Sequence, residues 1–176
     1  MSALARLLQL LSIVLFALAA GFFYAYSCSV LWGLDDAPPV AAIEAMQGIN
    51  RAVRNPLFAL SFFGALPAAA LACLTFRPWR LQAAGLLSFG AVIAWLAAFA
   101  TTVAIHVPMN QALAVVDATA LGDPTQVWRD FSTPWLFWNH LRAGASTLAL
   151  LLMVLAVTAA ARRGGTEAVH PGAAES

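Results

Sequence analysis

The sequence predicts an all-α protein: a transmembrane four-helix bundle with short amphipathic helices in its two outer connections. Three observations carry that prediction. Hydrophobic residues make up 62% of the 176 residues and charged residues only 10%, whereas a soluble domain carries about 25% charged residues. Four stretches hold no charge at all: Leu7 to Leu34, Pro56 to Phe76, Leu81 to Ile105 and Ala143 to Ala161. A helix needs roughly 20 apolar residues to cross the bilayer's hydrocarbon, and all four reach or approach that. The polar side chains gather near the ends that these runs share.

The expected spans are about residues 7–34, 56–76, 81–107 and 134–161, one domain over residues 1–161. The first run starts after Arg6, and Ala17-Leu18-Ala19 mimics a signal-peptide cleavage site. A signal peptide's apolar core is about 7–15 residues; this run continues to Leu34, so a retained span is expected. The first outer connection, Ala41 to Arg54, places Ile43, Met46, Gln47, Asn50 and Arg54 at the spacing of one helical face. It ends at Asn55-Pro56. A residue before proline resists the helical conformation and proline suits a first turn, so Asn55 is the expected N-cap of the second span.

The third run closes in His106-Val107-Pro108-Met109-Asn110, where Pro108 predicts a kink or an end. Thr133-Pro134 repeats the Asn-Pro device and predicts the start of the fourth span. The matching spacings Arg51-x-x-x-Asn55-Pro56 and Arg129-x-x-x-Thr133-Pro134 raise a duplicated hairpin, against which the rest of the two halves shows little identity. Residues 162–176, RRGGTEAVHPGAAES, are small, polar and Gly-rich, the composition of a disordered tail.

Charge sets the expected orientation. All nine basic residues are Arg. Arg6, Arg77, Arg80, Arg162 and Arg163 flank the spans on one side, while the other carries Asp35, Asp36, Glu44, Asp117, Asp123 and Asp130 against Arg51, Arg54 and Arg129. Cytoplasmic segments are enriched in Lys and Arg, so both termini should be cytoplasmic and the two longer connections, about 35–55 and 106–133, should face outward. Abundant Ala, Leu and Arg fit a high-GC bacterial genome, hence a bacterial inner membrane. A net charge of +1 gives no electrostatic case for nucleic acid. Cys28 and Cys73 fall late in antiparallel spans, too far apart for the alpha-carbon separation of about 7 Å that a disulfide tolerates.

The candidate site lies at the outer end. Trp135, Trp138, Asn139 and Arg142 occupy one face of a helix, and His140 points away from it. An intramembrane Arg costs several kcal/mol without partners or water, roughly. Two readings stand for Arg142: snorkelling to the interface, or a fixed positive charge lining a cavity. Trp135 and Trp138 fit an interfacial aromatic belt as well as a cavity wall. His106 and Asn110, four apart, place two hydrogen-bonding side chains at the same mouth; His106 is a proton acceptor or a structural histidine. Gln47 and Asn50 orient a ligand or face solvent. Gln47, Asn50, His106, Asn110, Trp128, Asn139 and Arg142 thus converge on one end of the bundle. No metal is expected, because His106 and His140 come without Cys or carboxylates at ligand spacing.

Ala45-Met46-Gln47-Gly48-Ile49-Asn50, Asn55-Pro56-Leu57-Phe58, His106-Val107-Pro108-Met109-Asn110 and Trp138-Asn139-His140-Leu141-Arg142 occur in the order seen in the anthrone oxygenase-like family. The chain resembles that family over roughly residues 15 to 158. The resemblance implies a small four-span membrane protein and oxidation of an anthrone to an anthraquinone by dioxygen, with no metal or flavin cofactor. Asn110, Asn139 and Arg142 match the family's motif residues. His106 departs from the Asn common at its position, and a carboxamide cannot serve as a base, so the family pattern does not itself assign that role to His106. Val30-Leu31-Trp32 also departs from the usual Met-Pro ending of the first span.

Function then has two main readings. One is a cofactor-free oxygenase in which His106, Asn139 and Arg142 are catalytic and Gln47, Asn50, Asn110, Trp128, Trp135 and Trp138 bind an aromatic substrate. The other is a non-enzymatic membrane module that binds a lipid, a quinone or a protein partner. Gly64-x-x-x-Ala68 permits homo-oligomerisation or internal packing alike. Transport is weaker, because the cytoplasmic halves of the spans offer almost no polar path.

Overall fold

A computed structural model describes residues 3–76 and 83–169, with side chains described to Arg162. The elements are α1 (Ala3–Ala25), a π-helical turn (Tyr26–Val30), α2 (Leu31–Asp35), α3 (Pro39–Ala52), α4 (Pro56–Leu74), α5 (Ala83–Thr101), a second π-helical turn (Thr102–His106), α6 (Val107–Ala114) and α7 (Pro124–Val169). Four helical stretches are long and apolar enough to cross a membrane: Ala3–Asp35, Pro56–Leu74, Ala83–Ala114 and Pro124–Arg162, here spans 1 to 4. The protein is an all-α, multi-pass membrane protein.

Neighbouring spans pack as 1 on 2, 2 on 3, 3 on 4 and 4 on 1. Alanines let the backbones approach: Ala65, Ala68, Ala69 and Ala72 of span 2 and Ala91, Ala94 and Ala98 of span 3 are buried. Aromatic rings fill the centre, where Phe16 of span 1 meets Trp95 of span 3 at a centroid distance of 5.0 Å. One end of the bundle holds the end of α4 and the start of α5; the expected Arg77/Arg80 turn lies outside the described residues. The other carries the two longer connections and both π turns; we call it the loop end.

At the loop end α3 lies as the sequence predicts, burying Ala42, Ile43, Met46 and Asn50. Arg54 falls beyond the end of α3 and is exposed. Asn55 is the N-cap of span 2: its backbone is extended and its Oδ1 accepts the Phe58 N–H at 3.0 Å. The expected kink or end at Pro108 takes the form of a π turn just before it. Proline then sits in the first turn of α6, where its missing N–H is tolerated.

The start of span 4 departs from the expectation. Thr133-Pro134 does not begin the helix, which starts at Pro124 and runs through Pro134 without a break. Asp123 supplies the cap instead, its Oδ1 accepting the Gln126 N–H at 2.9 Å. Proline inside a helix costs about 3 kcal/mol. The extra turns bury Trp128 and Phe131 against the cluster that holds Tyr26, Leu31, Ile43 and Met46. Each such ring contributes roughly 1.5–3 kcal/mol, so the two together offset the proline. In the second outer connection the short helix is α6, and the first turns of α7 complete that side. At the far end α7 continues to Val169, past the boundary expected at residue 161. The rest of the expected tail, residues 170–176 with His170, lies outside the described residues. Cys28 and Cys73 are both free.

Candidate functional site

The site begins with a charge that has no carboxylate in contact. Arg142 sits in α7, only 5% exposed. Its Nη2 donates to Asn139 Oδ1 at 2.6 Å and its Nη1 to Thr102 Oγ1 at 3.3 Å. Its Cζ lies 4.1 Å above the centre of the Phe23 ring and 5.4 Å from that of Trp135. Neutral acceptors and ring faces thus hold the guanidinium among the described residues. Cation–π contacts strengthen when desolvated, to roughly 2 kcal/mol. Arg142 does not snorkel to the interface; it is turned into the bundle.

Asn139 explains why that arrangement is rigid. Its carboxamide is fully buried. Nδ2 donates to the Phe23 carbonyl at 2.9 Å and to Ser27 Oγ at 2.8 Å, which leaves Oδ1 as the acceptor for Arg142. One side chain therefore ties span 1 to the guanidinium. Its span 1 partners flank the entry to the Tyr26–Val30 π turn. Such turns break the regular ladder and recur at functional sites.

The second π turn delivers Thr102 and His106 to the same place. His106 is buried, its ring edge-on to Trp135 at 4.8 Å. Its Nδ1 approaches the Thr101 carbonyl at 3.3 Å. A carbonyl only accepts, so a neutral ring that donates from Nδ1 to Thr101 carries its lone pair on Nε2. That Nε2 is buried without a hydrogen-bond partner. Trp135 Nε1 donates to Asn110 Oδ1 at 2.9 Å, which fixes the indole between α6 and α7.

These residues surround a cavity of about 530 Å3, within the range of roughly 300–1,000 Å3 for small-molecule pockets. Its apolar walls include the rings of Phe22, Phe23, Tyr26, Phe58, Phe62 and Trp135. Asn50, Arg54, Asn55, Thr102, His106, Asn110 and Arg142 supply its polar side chains, and of these Asn50, His106 and Arg142 are buried. Three of these carry a buried polar atom that lacks any partner: Asn50 Nδ2, His106 Nε2 and Arg142 Nε. Buried polar atoms are rarely left unpaired. No group of three His, Cys, Asp or Glu side chains gathers in a metal-binding arrangement among the described residues.

Residues 56–152, more than half of the chain, match the family model described as anthrone oxygenase. The chain belongs to the anthrone oxygenase family. No curated protein and no solved structure matches it. The matched stretch contains Thr102, His106, Asn110, Trp135, Asn139 and Arg142. The span 1 groups that complete the site, Phe23, Tyr26 and Ser27, lie outside it.

The structure brings together most of the residues expected from sequence, and separates three. Asn50, His106, Asn110, Trp135 and Arg142 line the cavity, with Asn139 directly behind Arg142. Gln47 instead braces the loop end, its Nε2 donating to the Leu113 and Val116 carbonyls at 2.9 Å each. Trp128 donates from Nε1 to Asp35 Oδ1 at 2.8 Å and packs on Phe131, so it joins span 4 to the end of span 1. Trp138 packs on Phe137 and is only half-buried, outside the cavity lining. His140 is exposed. Sequence reasoning missed Phe23, Tyr26, Ser27 and Thr102. The four-residue spacing from Thr102 to His106 was the available signal for one of them. Nothing in an apolar first span marks Phe23 as the ring beneath a guanidinium.

Proposed function

We propose that this protein oxidises a planar aromatic ketone of the anthrone type with dioxygen, in the cavity beside Arg142. The observation that carries the reading is the trio of unpartnered polar atoms, Asn50 Nδ2, His106 Nε2 and Arg142 Nε, on residues that line one aromatic-walled space. Such a substrate carries a weakly acidic CH2 between two rings, conjugated to a carbonyl. His106 Nε2 takes a proton from that carbon. The electron pair delocalises onto the oxygen as a phenolate, which the Arg142 guanidinium and the Asn50 amide stabilise. Fixed donors aimed at a developing oxyanion are commonly the largest single catalytic contribution.

The anion passes one electron to dioxygen, and the resulting radical and superoxide join in a C–O bond. The peroxide takes the proton back from His106. Loss of water, with the carbon's remaining hydrogen and the terminal hydroxyl leaving, creates the second carbonyl. One dioxygen is consumed; one of its atoms enters the quinone and the other leaves as water. The protein's contribution is deprotonation, charge stabilisation and alignment, and dioxygen is the oxidant.

Arg6 and Arg162 flank one end of the spans and the acidic residues crowd the loop end. We infer from this that the cavity faces away from the cytoplasm in a bacterial inner membrane, with both termini inside. A module that only braces a partner would fill its interior with its own side chains. The open volume beside Arg142 supports a substrate instead. The test is dioxygen uptake by purified protein in nanodiscs with a model anthrone. Uptake well above the spontaneous rate, with the anthraquinone as product, is expected. Ligand binding without turnover would replace this reading by that of a binding module.

A further inference from the structure

The cavity wall is incomplete on one side, and that side faces lipid. Spans 1 and 4 contribute buried groups, such as Phe23, Trp135 and Arg142. Spans 2 and 3 contribute residues that are also exposed on the bundle's surface: Phe63 at 57%, Val103 at 50% and Val107 at 39%. Toward the bilayer centre the two spans are joined by rings. Phe99 stacks on Phe62 at 5.3 Å and meets Phe63 edge-on at 6.0 Å. Nearer the loop end, the cavity lining from these spans includes the small side chains Ala59 of span 2 and Val103 and Val107 of span 3. Span 3 carries its π turn there, with Val103 inside it. Arg54 and Asn55 form the upper rim, at the start of span 2.

We propose that this gap between spans 2 and 3 is a lateral portal, through which an uncharged, lipid-dissolved substrate enters from the hydrocarbon of the loop-end leaflet. The inference deepens the oxygenase reading by naming how the substrate arrives and in which charge state. A charged ligand in hydrocarbon costs several kcal/mol, roughly. A neutral weak acid crosses the portal freely and ionises only inside, next to Arg142. Dioxygen, itself apolar, takes the same route.

The experiment measures access, independent of turnover, so its outcome is separate from that of the oxygenase assay. Cys28 and Cys73 are replaced by alanine and Thr102→Cys places one thiol in the cavity; if that variant does not fold, Ala59→Cys serves. The protein in nanodiscs is labelled with an uncharged, lipid-soluble methanethiosulfonate and with a sulfonate-bearing one. The sulfonate is the stringent comparison, since Arg142 attracts it. The uncharged reagent should label at least tenfold faster, and Val103→Trp should slow it at least tenfold. Leu148→Trp, on a lipid-exposed face of span 4, should leave the rate unchanged and controls for bulk. Val107→Trp replaces Val103→Trp if the latter is not monodisperse. Labelling by the sulfonate at an equal rate, or a rate untouched by the bulky portal variants, would overturn the portal.

Discussion

The two ends of this bundle handle buried polar groups in opposite ways. In the half away from the loops, buried polar side chains find partners on their own helix or across to the neighbouring span. Gln9 donates to Thr75 Oγ1 at 2.9 Å, Ser12 to the Leu8 carbonyl at 2.7 Å, and Ser88 to the Gly85 carbonyl at 2.9 Å. These groups sit among closely packed alanines. At the loop end Asn50, His106 and Arg142 each keep a buried polar atom without a partner, around open space. Trp95 Nε1, at mid-bundle, is the other unpartnered atom among those described. An unpaired buried donor costs about 1–3 kcal/mol. One end is therefore built for packing, and the other keeps unmet polar capacity beside a cavity, as a binding site does.

The sharpest way to break that contrast is Arg142→Met. It should lower kcat/KM on a model anthrone by about 10³-fold, the upper range for losing an oxyanion donor. The folded protein should lose only about 1–3 kcal/mol, because Met leaves the buried Asn139 Oδ1 without its donor. Detergent-solubilised melting and steady-state kinetics would read the two effects separately. A collapsed Tm with intact kinetics in the surviving protein would make Arg142 a structural strut and erase the difference between the ends.

His106→Asn is the next largest. It puts a carboxamide where the imidazole lone pair is, and should lower kcat by about 10²-fold, the low end for a general base. The acid limb of the kcat–pH profile should disappear with it, since no other imidazole lines the cavity. A variant with wild-type kcat and an unchanged profile would show that the substrate ionises without help, and would leave His106 the structural role of packing on Trp135.

What the sequence disclosed follows the same division. The four spans were legible because charge-free runs obey the bilayer's length requirement, and α3 because its apolar spacing is helical. The convergence of His106, Asn110, Asn139 and Arg142 was legible because polar residues are scarce enough in such a chain for their ends to be matched. The failures are all tertiary. Thr133-Pro134 looked like a helix start, since local rules cannot weigh two buried rings, Trp128 and Phe131, against one lost hydrogen bond. Trp138 shared a helical face with Asn139 and Arg142 by spacing, but its neighbours placed it beside Phe137. Gln47 and Trp128 had the right chemistry for a ligand and were spent on backbone carbonyls and Asp35. The π turns had no signature at all: an extra residue per turn is decided by what the freed groups find across the bundle.

A third prediction probes the packed half alone. Ala69 is fully buried in span 2, within the alanine-lined contact. Ala69→Leu adds three carbons where backbones approach, and should destabilise by about 1–3 kcal/mol. The kinetics of the fraction that remains folded should match the wild type. Lost turnover at full folding would mean that the packed end and the cavity move together, and that the two halves are one mechanical unit.

The smallest effect should come from Asp117, in the connection between α6 and α7. Its carboxylate is fully exposed and accepts from Thr119 twice, from the hydroxyl at 2.8 Å and from the N–H at 3.0 Å. Those bonds favour the ionised form and hold the group below its ordinary value of 3.8. A lowered folded-state value means the contribution to stability is present above the unfolded value and is lost as pH falls through the lowered one. Asp117→Ala should therefore lower Tm slightly at neutral pH, and the gap to wild type should close once the buffer falls below the carboxylate range. Turnover should be untouched, because Gln47, not Asp117, anchors this connection to the bundle through Leu113 and Val116. If Asp117→Ala instead reduces turnover at neutral pH, the connection is acting on the cavity as a lid, and the boundary between scaffold and site must be redrawn to include it.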